Sequence, residues 1–170
     1  MITKPLVLLD VDGVINDLDF AGAHSGGWKA MVFQSNGFIL AIPDFMAGLI
    51  QEISNVCEVH WCTTWRDKAN GDIADFLGVG PFPVVDDGTD DRYVGWKSAA
   101  AYAVAEDALR DGRRVLWIED FYGELPVDDM PFGTEFLDTA DNPLGPVLLK
   151  ECIPSWLTKL MAQHDIEVTD

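Results

Sequence analysis

The stretch Lys4–Asp17, KPLVLLDVDGVIND, decides how the rest of the chain is read. Four apolar residues, Leu6–Leu9, read as a short buried strand, and the run stops at Asp10-Val11-Asp12-Gly13. Two carboxylates one residue apart repel each other, and desolvating either costs free energy unless something compensates. Such a strand end is either a solvated turn, where Asp and Gly are ordinary residues, or a place where a cation is held. The remainder of the sequence must choose between them.

Working outward, the next segment holds two apolar arms around Ser35-Asn36-Gly37, a strong hairpin signal because Asn and Gly tolerate positive φ. This hairpin spans about 28–43 and closes at Pro43-Asp44, with Asp44 a candidate N-cap. Phe45, Met46, Leu49, Ile50 and Ile53 share one helical face. Val56–Cys62 reads as a second strand ending at Thr63-Thr64, and Asp67–Leu77 as a helix ending at Gly78. Phe82–Val85 is a candidate short strand leading into the acidic loop Asp86–Asp91. Lys97–Arg110 is an alanine-rich helix stopped by Gly112. Arg113–Ile118 is a third strong strand, Thr134–Leu137 a candidate strand, and Pro154–Gln163 a closing helix. Strands alternating with helices imply a doubly wound, parallel, Rossmann-like α/β sheet in one domain over residues 1–170.

Composition narrows the functional classes. The chain has 170 residues, 48% of them hydrophobic, which suits a single folded domain rather than a disordered one. No apolar run reaches the roughly 18 residues of a membrane span, and Leu6–Leu9 is too short for a signal-peptide core, so a soluble cytoplasmic protein is expected. Cys57, Cys62 and Cys152 form no C-x-x-C pair, and Cys57 and Cys62 read as buried free thiols. The three histidines show no zinc spacing. With 29 acids against 11 bases the net charge is −18, which weighs against nucleic-acid partners without removing them, since a local basic patch could persist.

In a parallel sheet, ligands sit beyond the carboxyl ends of the strands. Asp10/Asp12, Thr63/Thr64 and Glu119/Asp120 end three strands and should therefore converge. Hard oxygen ligands suit Mg²⁺, which takes one or two carboxylates and keeps waters plus a substrate phosphate. Asp10 and Asp120 can supply those carboxylates, Asp10 can also attack phosphorus, and Asp12 can move the proton. Thr63, Lys97 and the amides of the Asp12-Gly13 turn are donors of the type a phosphoryl group needs. Thr64 is the neighbour that takes the role of Thr63 if the register slips, and Arg66 and Lys68 stand ready to bind a further anionic group. Trp65 flanks the site and could stack on a ring.

The order DVDG, then the threonine closing VHWCT, then Lys97 of GWKSAA, then VLWIED resembles the four motifs of the haloacid dehalogenase-like superfamily, over roughly Leu6 to Asp120. The resemblance implies a Mg²⁺-dependent phosphomonoester phosphatase with Asp10 as nucleophile and metal ligand. It makes Asp12 the acid/base and a ligand through its backbone carbonyl. Thr63 and Lys97 would hold the phosphoryl group, and Asp120, with Glu119 acting through water, would complete the metal shell. The fourth motif departs from the common pair of aspartates, being Glu119-Asp120, which leaves open which carboxylate touches the metal. The intervals on either side of Thr63 are too short for a cap domain, so the capless type is implied, with the hairpin as a flap over a small phosphorylated metabolite or nucleotide. Two alternatives stand beside it: a nucleic-acid end phosphatase, and a catalytically degenerate relative that binds without hydrolysis. A receiver-domain reading fits less well, because the acidic pair here lies on the first strand together with the proposed nucleophile.

Overall fold

A computed structural model describes residues 3–18, 27–88, 95–142 and 147–169 of the chain. Its centre is a parallel sheet of four strands in the order β4-β1-β5-β6. The strands are β1 (Leu6–Leu9), β4 (Glu58–Trp61), β5 (Val115–Glu119) and β6 (Thr134–Asp138). β1 pairs with β4 and β5 in matching register, Leu9 lying opposite both Trp61 and Ile118. With neighbours on both edges and helices on both faces, all four residues of β1 are buried, which explains an uninterrupted apolar run rather than an alternating one.

Successive side chains alternate between the faces. Val7, Leu9, Leu116 and Ile118 join α1 (Met46–Val56), α2 (Asp72–Leu77) and α4 (Ser155–Thr169) in one core. Leu6, Leu8, Val115 and Trp117 join α3 (Trp96–Arg110) in the other. α3 turns Ala101, Ala105 and Ala108 to the sheet, and these small side chains leave room for Trp117. α1 buries Met46, Leu49, Ile50 and Ile53, the face expected from the sequence. Each such aliphatic side chain contributes about 1.5–3 kcal/mol on burial.

β2 (Ala30–Ser35) and β3 (Phe38–Pro43) form a separate antiparallel hairpin. Its two-residue turn has φ of 50° at Asn36 and 85° at Gly37, the left-handed pair that this tight connection requires. The hairpin is docked by backbone and side chain together. The Asp17 amide donates to the Ala41 carbonyl at 2.8 Å, and the Ala41 amide donates to Asn16 Oδ1 at 2.8 Å.

Several expectations need correction. Asp44 does not cap α1; the capping position is Phe45, with no side-chain cap, and the Asp44 amide closes the hairpin by donating to the Lys29 carbonyl. The helix expected over Asp67–Leu77 is a 3-10 segment, Arg66–Asn70, and then α2, divided at Gly71, whose extended ψ of −123° no helix accommodates. Phe82–Val85 is reduced to one bridge, Trp61 with Val84, because Asn70 captures the Phe82 amide and carbonyl instead. α4 runs well past Gln163. Residues 89–91 of the acidic loop lie outside the described residues. Among the described residues, no helix is long and apolar enough to cross a membrane.

Candidate active site

β1, β4 and β5 are parallel, so the residues after them share one edge of the sheet. The chain leaves β1 toward β4 on one side and later enters β5 on the other, which makes the β1/β5 boundary a switch point. Asp10 ends β1 there, and Glu119 and Asp120 end β5. One oxygen from each of Asp10, Glu119 and Asp120 falls within a group no wider than 4.8 Å. Lys97, one residue into α3, reaches across: its Nζ donates to Asp10 Oδ2 at 3.0 Å and to Glu119 Oε1 at 2.5 Å.

The partners differ among the three acids. Glu119 also accepts from Trp117 Nε1 at 3.2 Å, so both of its oxygens are held. Asp10 is only 4% exposed, and its Oδ1 is buried with no hydrogen-bond partner. No other residue bonds the Asp120 carboxyl among the described residues. A buried orphan carboxylate oxygen is costly and calls for a cation or a proton. The donor set therefore fits a hard divalent ion, with Asp10 and Asp120 the two acids free to bind it directly.

One ammonium facing three carboxylates leaves an excess of negative charge in a poorly solvated place. Burial, and then the Asp10 charge, push the Glu119 carboxyl from its ordinary 4.5 up to about 9 despite Lys97. The same causes push Asp120 from 3.8 up to about 6. Burial alone would lower Lys97, but Asp10 and Glu119 outweigh it and hold the ammonium above its ordinary range. Cys57 and Cys62 are buried, inert thiols. Burial pushes Cys57 up to about 12 and Cys62 well above its ordinary value.

Gly13 links the two acidic strand ends. With φ of +72°, it lies so close to Asp120 that an added Cβ would stand 2.7 Å from the Asp120 Cβ. Its amide donates to the Asn16 carbonyl at 3.0 Å, and its carbonyl accepts from Thr139 Oγ1 at 2.6 Å. The amide is thus already engaged and is not the free donor expected from sequence; the tight loop from Val11 to Asn16 uses it up.

Asp12 turns away from the acidic group. Its Oδ1 accepts from Asn16 Nδ2 at 2.8 Å and its Oδ2 from Trp65 Nε1 at 2.9 Å. Asp12, Thr64, Trp65 and Lys68 line a cavity of about 440 Å³ whose far wall is the hairpin. Lys97, Glu119 and Asp120 line a neighbouring one of about 360 Å³ with Trp96 and Phe121. A further cavity, about 480 Å³, lies elsewhere against α1 and holds none of these residues.

Set against family models, curated proteins and solved structures, the chain matches none.

The remaining expected site residues are distributed as follows. Thr63 is fully buried just past β4, where the Cys62 amide still pairs with the Leu9 carbonyl, and its Oγ1 accepts from the Trp65 amide at 3.3 Å. Thr64, not Thr63, lines the cavity beside Asp12. Arg66 does not face that cavity: it pairs with Asp86 at 3.1 Å and lies 5.1 Å from the Trp96 ring centroid. Its φ of +50° sends the side chain to the acidic loop, and local spacing gives no sign of that. Sequence reasoning missed Asn16 and the role of Trp65 in holding Asp12. Asn16 lies inside the opening motif, but only the return of the chain after Val11 brings its amide back to Asp12.

Proposed function

We propose that this chain is a divalent-cation-dependent phosphomonoester phosphatase of the capless haloacid dehalogenase-like kind, working through Asp10. The observation that carries this reading is the buried, partnerless Oδ1 of Asp10, set among Glu119, Asp120 and Lys97. Mg²⁺ would be held by Asp10, Asp120 and the Asp12 backbone carbonyl, with Glu119 acting through water. When bound, it would neutralise excess charge and polarise the phosphoryl group.

In the first step an Asp10 oxygen attacks phosphorus, the bond from phosphorus to the leaving oxygen breaks, and Asp12 gives that oxygen its proton. In the second, water attacks the phosphorus of the aspartyl phosphate, Asp12 takes the water's proton, and the bond to Asp10 breaks. Lys97 stabilises charge on the transferring group, and a threonine hydroxyl at Thr63 or Thr64 adds a donor. Asn16 and Trp65 keep the Asp12 carboxyl aimed at the cavity where a leaving group fits. The hairpin acts as the flap over that cavity.

Asp10→Asn removes the nucleophile with almost no change in volume. Hydrolysis of an aryl phosphate in Mg²⁺ is expected to fall at least about 10³-fold with an unchanged circular dichroism spectrum. Turnover near the wild-type rate in that variant would overturn the mechanism. Tight binding of a phosphate mimic by a wild-type protein that hydrolyses nothing would instead favour the degenerate binding module.

A further inference from the structure

The cavity beside Asp12 has a chemistry of its own. Leu18, Phe38, Ile39 and Trp65 make most of its wall apolar, Asp12 stands at one side, and Lys68 is the cation it contains. Phe38 and Trp65 meet edge to face with centroids 5.5 Å apart, so an aromatic wall runs from the hairpin down to the residue that bonds Asp12. Phe38 and Ile39 nonetheless remain 64% and 74% exposed, which leaves apolar surface open at the cavity mouth. Lys68 also differs from the bases nearest the site. Arg66 and Lys97 are neutralised by acids, whereas Lys68 has no ion pair among the described residues of a chain with net charge −18. An apolar wall leaves the hydroxyls of a sugar unsatisfied but accepts a flat ring. An unpaired ammonium in a strongly acidic protein is suited to an anion.

We infer that the substrate is a phosphomonoester whose leaving group carries a ring and a second anionic group. The ring lies along Phe38, Ile39 and Trp65, and the second anion faces Lys68. This inference rests on the phosphatase reading only in taking Asp12 as the group nearest the leaving oxygen.

Non-hydrolysable phosphonates separate the two questions. Propylphosphonate, phenylphosphonate and 4-carboxyphenylphosphonate are titrated calorimetrically in Mg²⁺ into the wild type, Phe38→Ala and Lys68→Ala. Both side chains are exposed, so unchanged melting curves are expected. The ring should tighten wild-type binding about fivefold over the propyl chain, and Phe38→Ala should remove much of that gain. The carboxylate should add about threefold, an advantage lost in Lys68→Ala and at high salt while phenylphosphonate binds as before. Equal affinities for the three ligands, no binding by any of them, or variants that weaken all three alike would overturn the inference. The expected pattern in a protein that hydrolyses no phosphomonoester keeps the ligand class and overturns the activity; hydrolysis without the pattern does the reverse.

Discussion

Gly13 shows how much one residue can settle at this site. A methyl group there would collide with Asp120 and would also force a side chain into left-handed backbone. Gly13→Ala is expected to cost about 1–3 kcal/mol in stability. It should also weaken Mg²⁺ binding, because Asp120 must move away from Asp10. Denaturant melts and a Mg²⁺ titration check both effects, and a variant as stable and as responsive to Mg²⁺ as the wild type would contradict the close approach. The need for a glycine after Asp12 was visible in the sequence as a turn signal. Its reason was not, because Asp120 is more than a hundred residues away along the chain. The same limit applies to Arg66, whose type suggested a substrate contact but whose backbone angle commits it to Asp86.

At the scale of elements, the strands and helices with strong periodicity were legible: β1, α1, α3, β5 and the hairpin turn all lie where the residue pattern puts them. One misreading fell where a single side chain outcompetes a local preference. Asn70 holds both backbone groups of Phe82 and so prevents a further strand. Asn16 works similarly at the hairpin, where its side chain serves Asp12 and the Ala41 amide together. Asn16→Ala leaves a buried amide without an acceptor, at a cost of about 1–3 kcal/mol. Hydrogen exchange at Ala41 should accelerate and the melting temperature should fall. Val32→Ala, on the exposed face of β2, should change neither, and an Asn16→Ala protein with unchanged exchange at Ala41 would contradict this docking role.

Across the whole molecule, parallel topology is what turns separate strand ends into one acidic group, and that convergence followed from the alternation of strands and helices alone. What the pattern did not disclose is the division of labour, with Asp10, Glu119 and Asp120 gathered around Lys97 while Asp12 faces the hairpin. The gathered charge has a measurable consequence. Burial and the Asp10 charge push Glu119 and Asp120 above their ordinary 4.5 and 3.8, so the folded state binds more protons than the unfolded state from there upward. Metal-free stability should therefore fall as pH rises from about 3.8 to about 9 on account of these groups. Mg²⁺, replacing the protons, should raise the melting temperature more at pH 8 than at pH 5; an equal or smaller rise at pH 8 would contradict the reading of the acids as a cation site. The most direct test of the account uses Asp12→Asn, which lacks the base for the second step. Mixed with 4-nitrophenyl phosphate and Mg²⁺, quenched in acid and digested, it should carry one phosphoryl group on Asp10 by mass spectrometry. Phosphate release from the wild type with no label on Asp10, or with the label on another residue, would contradict the central claim.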